Sequence, residues 1–499
     1  MLVRSPLPDL EVPDADFSRV ALEPGRRLGD KLALLEAATG RQMSYAEFVS
    51  AVDATAGGLL ADGLQPRQRM VICGFNGIAY AVAAHAVWRA GGTVVTMNPL
   101  FTLREMQTQL RDAQPDALIG ADERSLEAAR LTGLQRMYVL EDLPQGKPPP
   151  PPVVDAGKDV ALILYSSGTT GLPKGVMLTH RNLCAAVLQL ASGDLAREAD
   201  VLVAVSPFYH VVGLHGILNL GLFAGATTVI MVRYDTRQFL QAVQDHQVSS
   251  VFLTPPVVTD LTKNPVLDEY DVRSLRSVLC AAAPLAGEVE QAAAKRLGCW
   301  VRQGFGMTET TGPISTTIDA RSQAYGSVGP PVPNTEVRVA DNGELLVRGP
   351  QVMLGYLNNP EATAQAIEPD GFVHTGDIGR ADADGNLYIV DRVKEIIKYN
   401  AYQVAPAELE GLLLAHPAVL DVAVVPSPDP DCGEIPKAFV VPGSAQASAE
   451  ALMSYVAERV APYKRVRAVE FVDSIPKSPT GKLLRRVLIE RERAAHGQA

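Results

Sequence analysis

The chain has 499 residues, of which 47% are hydrophobic and 20% charged, enough apolar surface for several cores, which excludes global disorder. Its net charge of −11 argues against general nucleic-acid binding. The five cysteines are scattered and form no C-x-x-C pair, which argues against a disulfide framework or a zinc site and favours a reducing compartment, the cytoplasm.

The first part of the chain alternates helix and strand patterns. Ser44 and Glu47 form a capping box, which predicts a helix that ends near Leu60. A strand at 70–73, a helix at 77–89 and a strand at 93–97 are predicted next. After a run of prolines at 148–152, which predicts a stiff surface segment, another strand is predicted at 160–164. This alternation predicts α/β layers around largely parallel sheets.

The segment 201–232 carries no charged residue and could be either a membrane span or a buried core. It contains Pro207, His210, His215 and Asn219, whereas a spanning helix keeps about 20 continuously apolar residues. We therefore predict a strand, a loop, a helix and a strand inside the protein, and no membrane span.

After Gly329 the pattern changes to short strands and turns, with strands predicted at 336–339 and 344–347. Beyond Arg392 it changes again, to a helix that begins at Pro406, strands at 422–425 and 438–441, and a helix at 449–460. These patterns predict a small β-rich region followed by a compact α+β region.

The segment 165–180, YSSGTTGLPKGVMLTH, combines hydroxyls, glycines and a lysine directly after a predicted strand. Such a loop can hold phosphate oxygens through N–H groups, hydroxyls and a cation. It is not a Walker loop, because Pro173 precedes the lysine and Gly175 follows it. A flexible Ser/Gly linker is the alternative, but apolar segments flank the loop on both sides. The residues expected at phosphate are Ser166, Ser167, Gly168, Thr169, Thr170 and Lys174.

This loop resembles the signature loop of the acyl-adenylate-forming superfamily, which includes acyl-CoA synthetases, 4-coumarate–CoA ligases, beetle luciferases and the adenylation domains of peptide synthetases. Further motifs follow in the same order, and the wording of the tail is most similar to the 4-coumarate–CoA ligase branch. They are PFYHVVGL (207–214), AAAPL (281–285), QGFGMTET (303–310), VHTGDIG (373–379), DRVKEIIKY (391–399), VAPAELE (404–410) and PKSPTGKLLRR (476–486).

The resemblance implies the domain organisation. Residues 1–391 would form a large N-terminal domain of layered α/β subdomains with a small β-rich subdomain, which holds the ATP and acid sites. Residues 392–499 would form a small mobile α+β domain, with a hinge near Lys394. The reaction implied is the ATP-dependent ligation of a carboxylic acid to coenzyme A through an acyl-AMP intermediate, with Mg²⁺ as cofactor.

The resemblance also assigns roles at the nucleotide, where charge spreads over phosphate oxygens in the transition state. Thr308 would contact the α-phosphate and Glu309 would ligate Mg²⁺, while Asp377 would bind the ribose hydroxyls. Arg392 would be a second ribose or phosphate contact, and Lys482 a mobile cation that reaches both the carboxylate and the α-phosphate. The other residues implied at the nucleotide are Ala282, Ala283, Pro284, Gly304, Phe305, Gly306 and Met307.

At the acid site the resemblance implies that His210 steers the carboxylate. The segments expected to line the acid site contain no acidic side chain that could pair with the amino group of a substrate. We therefore expect a carboxylic acid without an amino group, either aryl (4-coumarate- or cinnamate-like) or medium-chain. The lining residues would be Gly213, Ala281, Gly304, Gly306, Pro313 and Ile314.

For the thioester step the C-terminal domain would turn and present Lys398, Ala401, Tyr402 and Gln403 to the site. Related ligases have a glycine where this chain has Ala401, and the added Cβ faces the expected path of the thiol. The alternatives therefore stay open: an adenylating enzyme that loads a carrier-protein thiol or stops at acyl-AMP, a luciferase-like oxygenase, or a nucleotide-binding protein without catalysis. The sequence does not indicate the oligomeric state.

Overall fold

The computed structural model describes residues 1–166, 173–283, 285–318, 324–392, 395–399, 402–429, 432–443, 447–478 and 483–495. Within these ranges the α-helices are α1 (Phe17–Leu28), α2 (Tyr45–Ala61), α3 (Ile78–Arg89), α4 (Leu103–Ala113), α5 (Glu123–Leu131), α6 (His180–Ser192), α7 (Leu220–Ala224), α8 (Thr236–His246), α9 (Pro255–Lys263), α10 (Gly287–Leu297), α11 (Pro360–Ala366), α12 (Pro406–Ala415), α13 (Ala449–Ala457) and α14 (Arg485–Ala495). A π-helix spans Val212–Asn219.

The strands of the described residues are β1 (Leu2–Arg4), β2 (Leu32–Glu36), β3 (Gln42–Ser44), β4 (Arg69–Cys73), β5 (Thr93–Met97), β6 (Ala117–Gly120), β7 (Met137–Val139), β8 (Val160–Ser166), β9 (Lys174–Thr179), β10 (Val201–Ala204), β11 (Thr227–Ile230), β12 (Ser250–Leu253), β13 (Ser277–Cys280), β14 (Trp300–Met307), β15 (Gly312–Thr316), β16 (Glu336–Val339), β17 (Glu344–Arg348), β18 (Gly355–Tyr356), β19 (Val373–Ala381), β20 (Leu387–Arg392), β21 (Ile397–Tyr399), β22 (Tyr402–Val404), β23 (Val419–Asp429), β24 (Gly433–Pro442) and β25 (Ala468–Phe471).

Two large sheets form the body of the N-terminal part. One has the order β18-β9-β8-β5-β4-β6-β7, and the other has the order β15-β14-β13-β12-β10-β11-β2-β3. The strands between β8 and β7 in the first sheet, and between β14 and β2 in the second, pair in parallel. This confirms the predicted α/β class, in which helices cover both faces of parallel sheets.

The core between these sheets is built from helices whose apolar faces the sequence encodes. The predicted capping box opens α2: the Ser44 N–H donates to Glu47 Oε2 (2.7 Å), and the Glu47 N–H donates to Ser44 Oγ (3.3 Å). Phe17 of α1 and Trp88 of α3 are fully buried, and the Trp88 indole N–H donates to the Ala161 carbonyl of β8 (2.7 Å). Burial of the ring and pairing of its polar atom together fix α3 against the sheet.

The uncharged segment folds as predicted, into β10, the π-helix, α7 and β11. Among the described residues, no helix is both long enough and apolar enough to cross a membrane.

Two smaller sheets follow in the chain. An antiparallel sheet has the order β1-β16-β17-β19-β20. The C-terminal sheet has the order β22-β21-β24-β23, with β25 parallel to β24, and it has its own core with α12 and α13. Helix α13 ends at Ala457, three residues before the predicted end.

Candidate active site

A cleft of about 2080 Å³ lies where the carboxyl ends of strands from both large sheets meet the small sheet and the C-terminal part. Ser166 ends β8, Ala281 follows β13 and Met307 ends β14, and all three line it. In open α/β sheets ligands bind at this edge, because loops after parallel strands converge there. The cleft is therefore the candidate active site.

A buried carboxylate, Glu309, lies in the part of the cleft that holds the described residues predicted at phosphate. It lies in the short 3₁₀ turn after β14 and is 7% exposed. Its Oε1 accepts hydrogen bonds from the Ser166 hydroxyl (2.9 Å) and the Tyr356 hydroxyl (3.0 Å). Burial and the neighbouring Glu309 carboxylate raise the pKa of Tyr356, so the phenol keeps its proton and stays a donor.

Lys174 brings a cation to the same place. The β8–β9 hairpin pairs it with Ser166, and its Nζ lies 4.8 Å from the centre of the Tyr356 ring. Sequence reasoning gave no role to Tyr356, because its link with Glu309 depends on the pairing of β18 with β9, which local sequence does not reveal.

The residues here fit a magnesium ion that is shared with a phosphate ligand. Only Oε1 of Glu309 is engaged by the described residues, which leaves Oε2 for a metal. No group of three His, Cys, Asp or Glu side chains among the described residues could hold a metal by itself. Mg²⁺ commonly takes one or two carboxylates and fills its other positions with phosphate oxygens and water.

The backbone is tightly constrained at two of the positions predicted to contact the nucleotide. A Cβ on Gly306 would lie 1.7 Å from the Gly312 carbonyl oxygen, so the tight pairing of β14 with β15 requires glycine there. Ala282 has φ 79°, a left-handed conformation that is costly for a residue with a Cβ. Ala281, Ala282, Ala283, Gly304, Phe305, Gly306, Met307 and Thr308 all line the cleft.

Asp377 and Arg392 face each other across the β19–β20 pair and both line the cleft. Asp377 Oδ1 lies 3.2 Å from Arg392 Nε, and Asp377 is 6% exposed. The Asp377 N–H donates to the Thr375 hydroxyl (3.0 Å), which fixes the turn of the chain before the carboxylate. The structure thus brings the predicted ribose acid and the predicted second contact together as an ion pair.

His210 lies in the loop after β10, which Asn76 holds in place. The Asn76 amide donates to the Ser206 (2.9 Å) and Met231 (3.2 Å) carbonyls, and its oxygen accepts from the Phe208 N–H (2.7 Å). Burial lowers the pKa of His210 to about 4, so the imidazole is neutral at pH 7. It can therefore donate a hydrogen bond to a carboxylate there as a neutral group.

The π-helix lines the cleft beside His210, where the acid is predicted to bind. Val212 and Gly216 face the cleft together with Phe252. On the opposite side, the Asn219 amide bridges His215 Nδ1 (3.1 Å) and His85 Nε2 (3.1 Å) in the core. π-Helical turns are rare and occur often at functional sites.

Two residues predicted in the acid pocket lie elsewhere, and neither lines the cleft within the described residues. Gly213 packs on the preceding loop: a Cβ there would lie 2.1 Å from the Pro207 carbonyl oxygen. Ile314 is fully buried in the core of the small sheet with Val3 and Val328. Alternation along β15 explains the second difference, because neighbouring side chains of a strand face opposite sides. Pro313 does line the cleft.

Several predicted residues lie outside the described ranges: Ser167, Gly168, Thr169, Thr170, Pro284, Lys394, Ala401 and Lys482. On either side of Lys482, Ser478 and Leu483 line the cleft. Tyr402 instead is 56% exposed and stacks on Tyr463, with ring centres 4.6 Å apart. Lys398 is exposed, its N–H donates to Glu434 Oε2 (2.8 Å), and its backbone pairs with that of Gln403.

Comparisons with known proteins identify the family of the chain. Residues 22–357 match the family model of the AMP-binding enzymes, and residues 408–482 match that of the AMP-binding enzyme C-terminal domain. The chain is 40% identical to 4-coumarate–CoA ligase 5 of Oryza sativa subsp. japonica, over 97% of this chain and 96% of that protein. It is 38% identical to 4-coumarate–CoA ligase 1 of Petroselinum crispum, over 100% and 97%.

Solved structures show the same architecture. ATP-bound MatB from Rhodopseudomonas palustris superposes with a TM-score of 0.87 at 28% identity, over 96% of this chain and 99% of that one. The anthranilate CoA ligase AuaEII, in complex with anthranoyl-AMP, superposes with a TM-score of 0.89 at 24% identity, over 98% and 99%. The latter likeness shows the shared fold.

Proposed function

This chain belongs to the family of AMP-binding enzymes and is an AMP-forming acid–thiol ligase, and from that premise we propose that it joins an aryl carboxylic acid to coenzyme A. A 4-coumarate- or cinnamate-like acid is the first choice, and a medium-chain acid is the second. The single observation that carries the site assignment is one cleft that joins Ser166, Glu309 and Lys174 with the Asp377–Arg392 pair. A site for a magnesium nucleotide needs hydroxyls and cations for the phosphates, a carboxylate for the divalent cation and a second carboxylate for the ribose, all in one cleft.

In the first half-reaction a carboxylate oxygen attacks the α-phosphorus of ATP. The bond from that phosphorus to the bridging oxygen breaks, and pyrophosphate leaves acyl-AMP behind. Because negative charge spreads over the phosphate oxygens, fixed cations and donors stabilise the transition state. We assign Lys174, Thr308 and Lys482 to this task. Glu309 would hold Mg²⁺, which neutralises phosphate charge when it is bound.

The acid would enter beside the π-helix. A neutral His210 can donate one hydrogen bond to the carboxylate and orient it without holding it as tightly as an ion pair would. Val212, Gly216 and Phe252 offer an apolar, uncharged surface to the rest of the acid, and an amino acid's ammonium group would find no counter-charge among them. The relatives named 4-coumarate–CoA ligase support an aryl acid.

For the second half-reaction we infer a rotation of residues 392–499 about Lys394. Ser478 and Leu483, which flank Lys482, face the cleft, while Tyr402 is exposed, and this supports an adenylate-forming orientation. After rotation the segment 398–403 would face the acyl-AMP. The thiol sulfur then attacks the acyl carbon, the thiol loses its proton, and AMP leaves with the former carboxylate oxygen. Because the C-terminal domain would cover the cleft with one surface in each half-reaction, water would be kept from the labile acyl-AMP.

The test is to measure pyrophosphate release and thioester formation for cinnamates, benzoates and medium-chain fatty acids, with and without coenzyme A. We expect AMP and pyrophosphate as products, a strong preference for one class of acid, and thioester only when coenzyme A is present. ADP as the product would refute the mechanism, and equal rates for every acid would refute the pocket assignment.

One feature of the sequence supports a second candidate function. Ala401 stands where related ligases have glycine, and its Cβ would narrow the path of the thiol. An enzyme that loads a carrier-protein thiol, or stops at acyl-AMP, would release pyrophosphate in the same assay and form no thioester with coenzyme A.

A further inference from the structure

Helix α12, the first helix of the C-terminal part, leaves backbone groups at both of its ends without hydrogen-bond partners inside the helix. Its N-cap residue is Ala405, which has no side-chain acceptor, and Pro406 at the first position has no N–H. The first amide donor of the helix is therefore that of Ala407, and the last carbonyls, including that of Leu414, also lack partners inside the helix. The Ala407 N–H and the last carbonyls of α12 therefore need hydrogen-bond partners from outside the helix.

The N-terminal end of α12 is capped by Asp391, which lies on the other side of the hinge. Asp391 Oδ2 accepts from the Ala407 N–H (2.9 Å), and Oδ1 accepts from the Arg392 N–H (2.7 Å). The carboxylate is 4% exposed. A negative charge at a helix N-terminus is favourable because the free N–H groups carry partial positive charge.

The C-terminal end of α12 meets a cation from the N-terminal domain. Lys263, the last residue of α9, donates from Nζ to the carbonyls of Leu414 (2.8 Å) and Val419 (3.1 Å). A positive charge complements the partial negative charge of the helix C-terminus. Between the two ends, a Cβ on Gly411 would lie 3.3 Å from Ala286 Cβ, so the middle of the helix also touches the N-terminal domain.

We propose that Asp391 and Lys263 are positioning residues that grip α12 at both ends and hold the C-terminal domain in its adenylate-forming orientation. This two-residue grip, which we call the α12 clamp, rests on the proposed function, because it matters only if the domain alternates. A rotation about Lys394 moves α12 relative to both residues and must break all three of these hydrogen bonds. The clamp therefore favours the first half-reaction over the second.

Arg485 links α12 to the segment that follows Lys482. Arg485 opens α14, three residues after Lys482, and one of its guanidinium nitrogens donates to Glu410 Oε2 of α12 (2.5 Å). A second nitrogen pairs with Glu395, just beyond the hinge. Glu410 Oε1 in turn accepts from the Val424 N–H (2.7 Å). Hence α12, the exit of the hinge and the segment after Lys482 are linked and move together.

The decisive variant is Lys263→Met, which keeps the stem of the side chain and removes the charge. We expect acid-dependent ATP–pyrophosphate exchange to fall about two- to fivefold, the value of a charge at a helix terminus. Thioester formation from supplied acyl-AMP and coenzyme A should be unchanged or faster. Lys263→Arg, which still donates, should restore exchange, and Lys295→Met, at an exposed position of α10, is the matched control.

Asp391→Ala is the second variant, with Asp384→Ala in the exposed β19–β20 turn as its control. It should show the same split between the half-reactions, and the circular dichroism melt shows whether the variant folds. The clamp is refuted if Lys263→Met slows both half-reactions equally, or slows neither. Failure of the proposed function has a different signature in the wild-type protein, which would then show either no pyrophosphate exchange with any acid, or exchange without thioester from supplied acyl-AMP and coenzyme A.

Discussion

The assignment of Asp377 to the ribose can be tested by removing its carboxylate and, separately, the hydroxyls it should bind. Asp377→Ala deletes a side chain that is 6% exposed and pairs with Arg392 at 3.2 Å. Asp377→Asn keeps the shape and one acceptor oxygen but loses the charge. Hydrogen bonds to a charged group contribute about 1.5–3 kcal/mol each.

One such bond, lost without replacement, corresponds to about a 10- to 100-fold change in the dissociation constant. Because Asp377 lines an open cleft, water can replace part of the second bond. We therefore expect Asp377→Ala to weaken ATP binding about 100-fold and Asp377→Asn about tenfold. Arg392 is unchanged in both variants, so a contact that it makes with the phosphates would remain.

The assay is calorimetric titration of each protein with ATP and with 2′,3′-dideoxy-ATP, in the absence of acid. The wild-type protein should bind ATP more tightly than the dideoxy analogue, and Asp377→Ala should bind the two alike. Asp384→Ala, in the exposed turn of the same hairpin, should match the wild type. If Asp377→Ala weakens both nucleotides by the same factor, the carboxylate supports the fold of β19 and β20 and does not contact the ribose.

Three other expectations concern catalysis and stability. Lys482→Ala should slow acyl-AMP formation by about 10²–10³ and leave thioester formation from supplied acyl-AMP near the wild-type rate; equal losses in both rapid-quench assays would refute its role. Ala401→Gly should lower the KM for coenzyme A in steady-state kinetics without changing pyrophosphate exchange, and an unmoved KM would make the added methyl irrelevant. Burial lowers the pKa of four histidines from 6.5, so the unfolded chain binds protons first as the pH falls and stability is lost below pH 6.5. Urea unfolding should show a loss of about 5 kcal/mol between pH 7 and pH 5.5, and a flat profile would contradict this. These residues are His85, His180 and His215 in the core and His210 at the cleft.

Sequence patterns predicted the elements whose signals are local. The capping box of Ser44 and Glu47 and the apolar run at 93–97 gave α2 and β5 with their ends within one residue. The roles of Tyr356 and Asp391 could not be predicted, because they depend on partners that are distant in the sequence. Tyr356 meets Glu309 only through the pairing of β18 with β9, and Asp391 meets Ala407 only because α12 packs beside the end of β20. Motif position alone also cannot tell which face of a strand lines a cleft, and Ile314 shows this.

The π-helix at Val212–Asn219 makes the contour of the acid site depend on chain length as much as on side-chain identity. Each of its turns holds one residue more than an α-helical turn does. Deletion of one residue would let the segment relax to α-helical geometry, and because the lost residue and the tighter winding nearly compensate, the chain after the π-helix would keep its register. Only the side chains within the segment would change the direction in which they face, while their chemistry stayed the same. Insertions and deletions in this segment are therefore a route by which relatives of this fold could change the acid they accept, a route that comparison of lining residues would overlook.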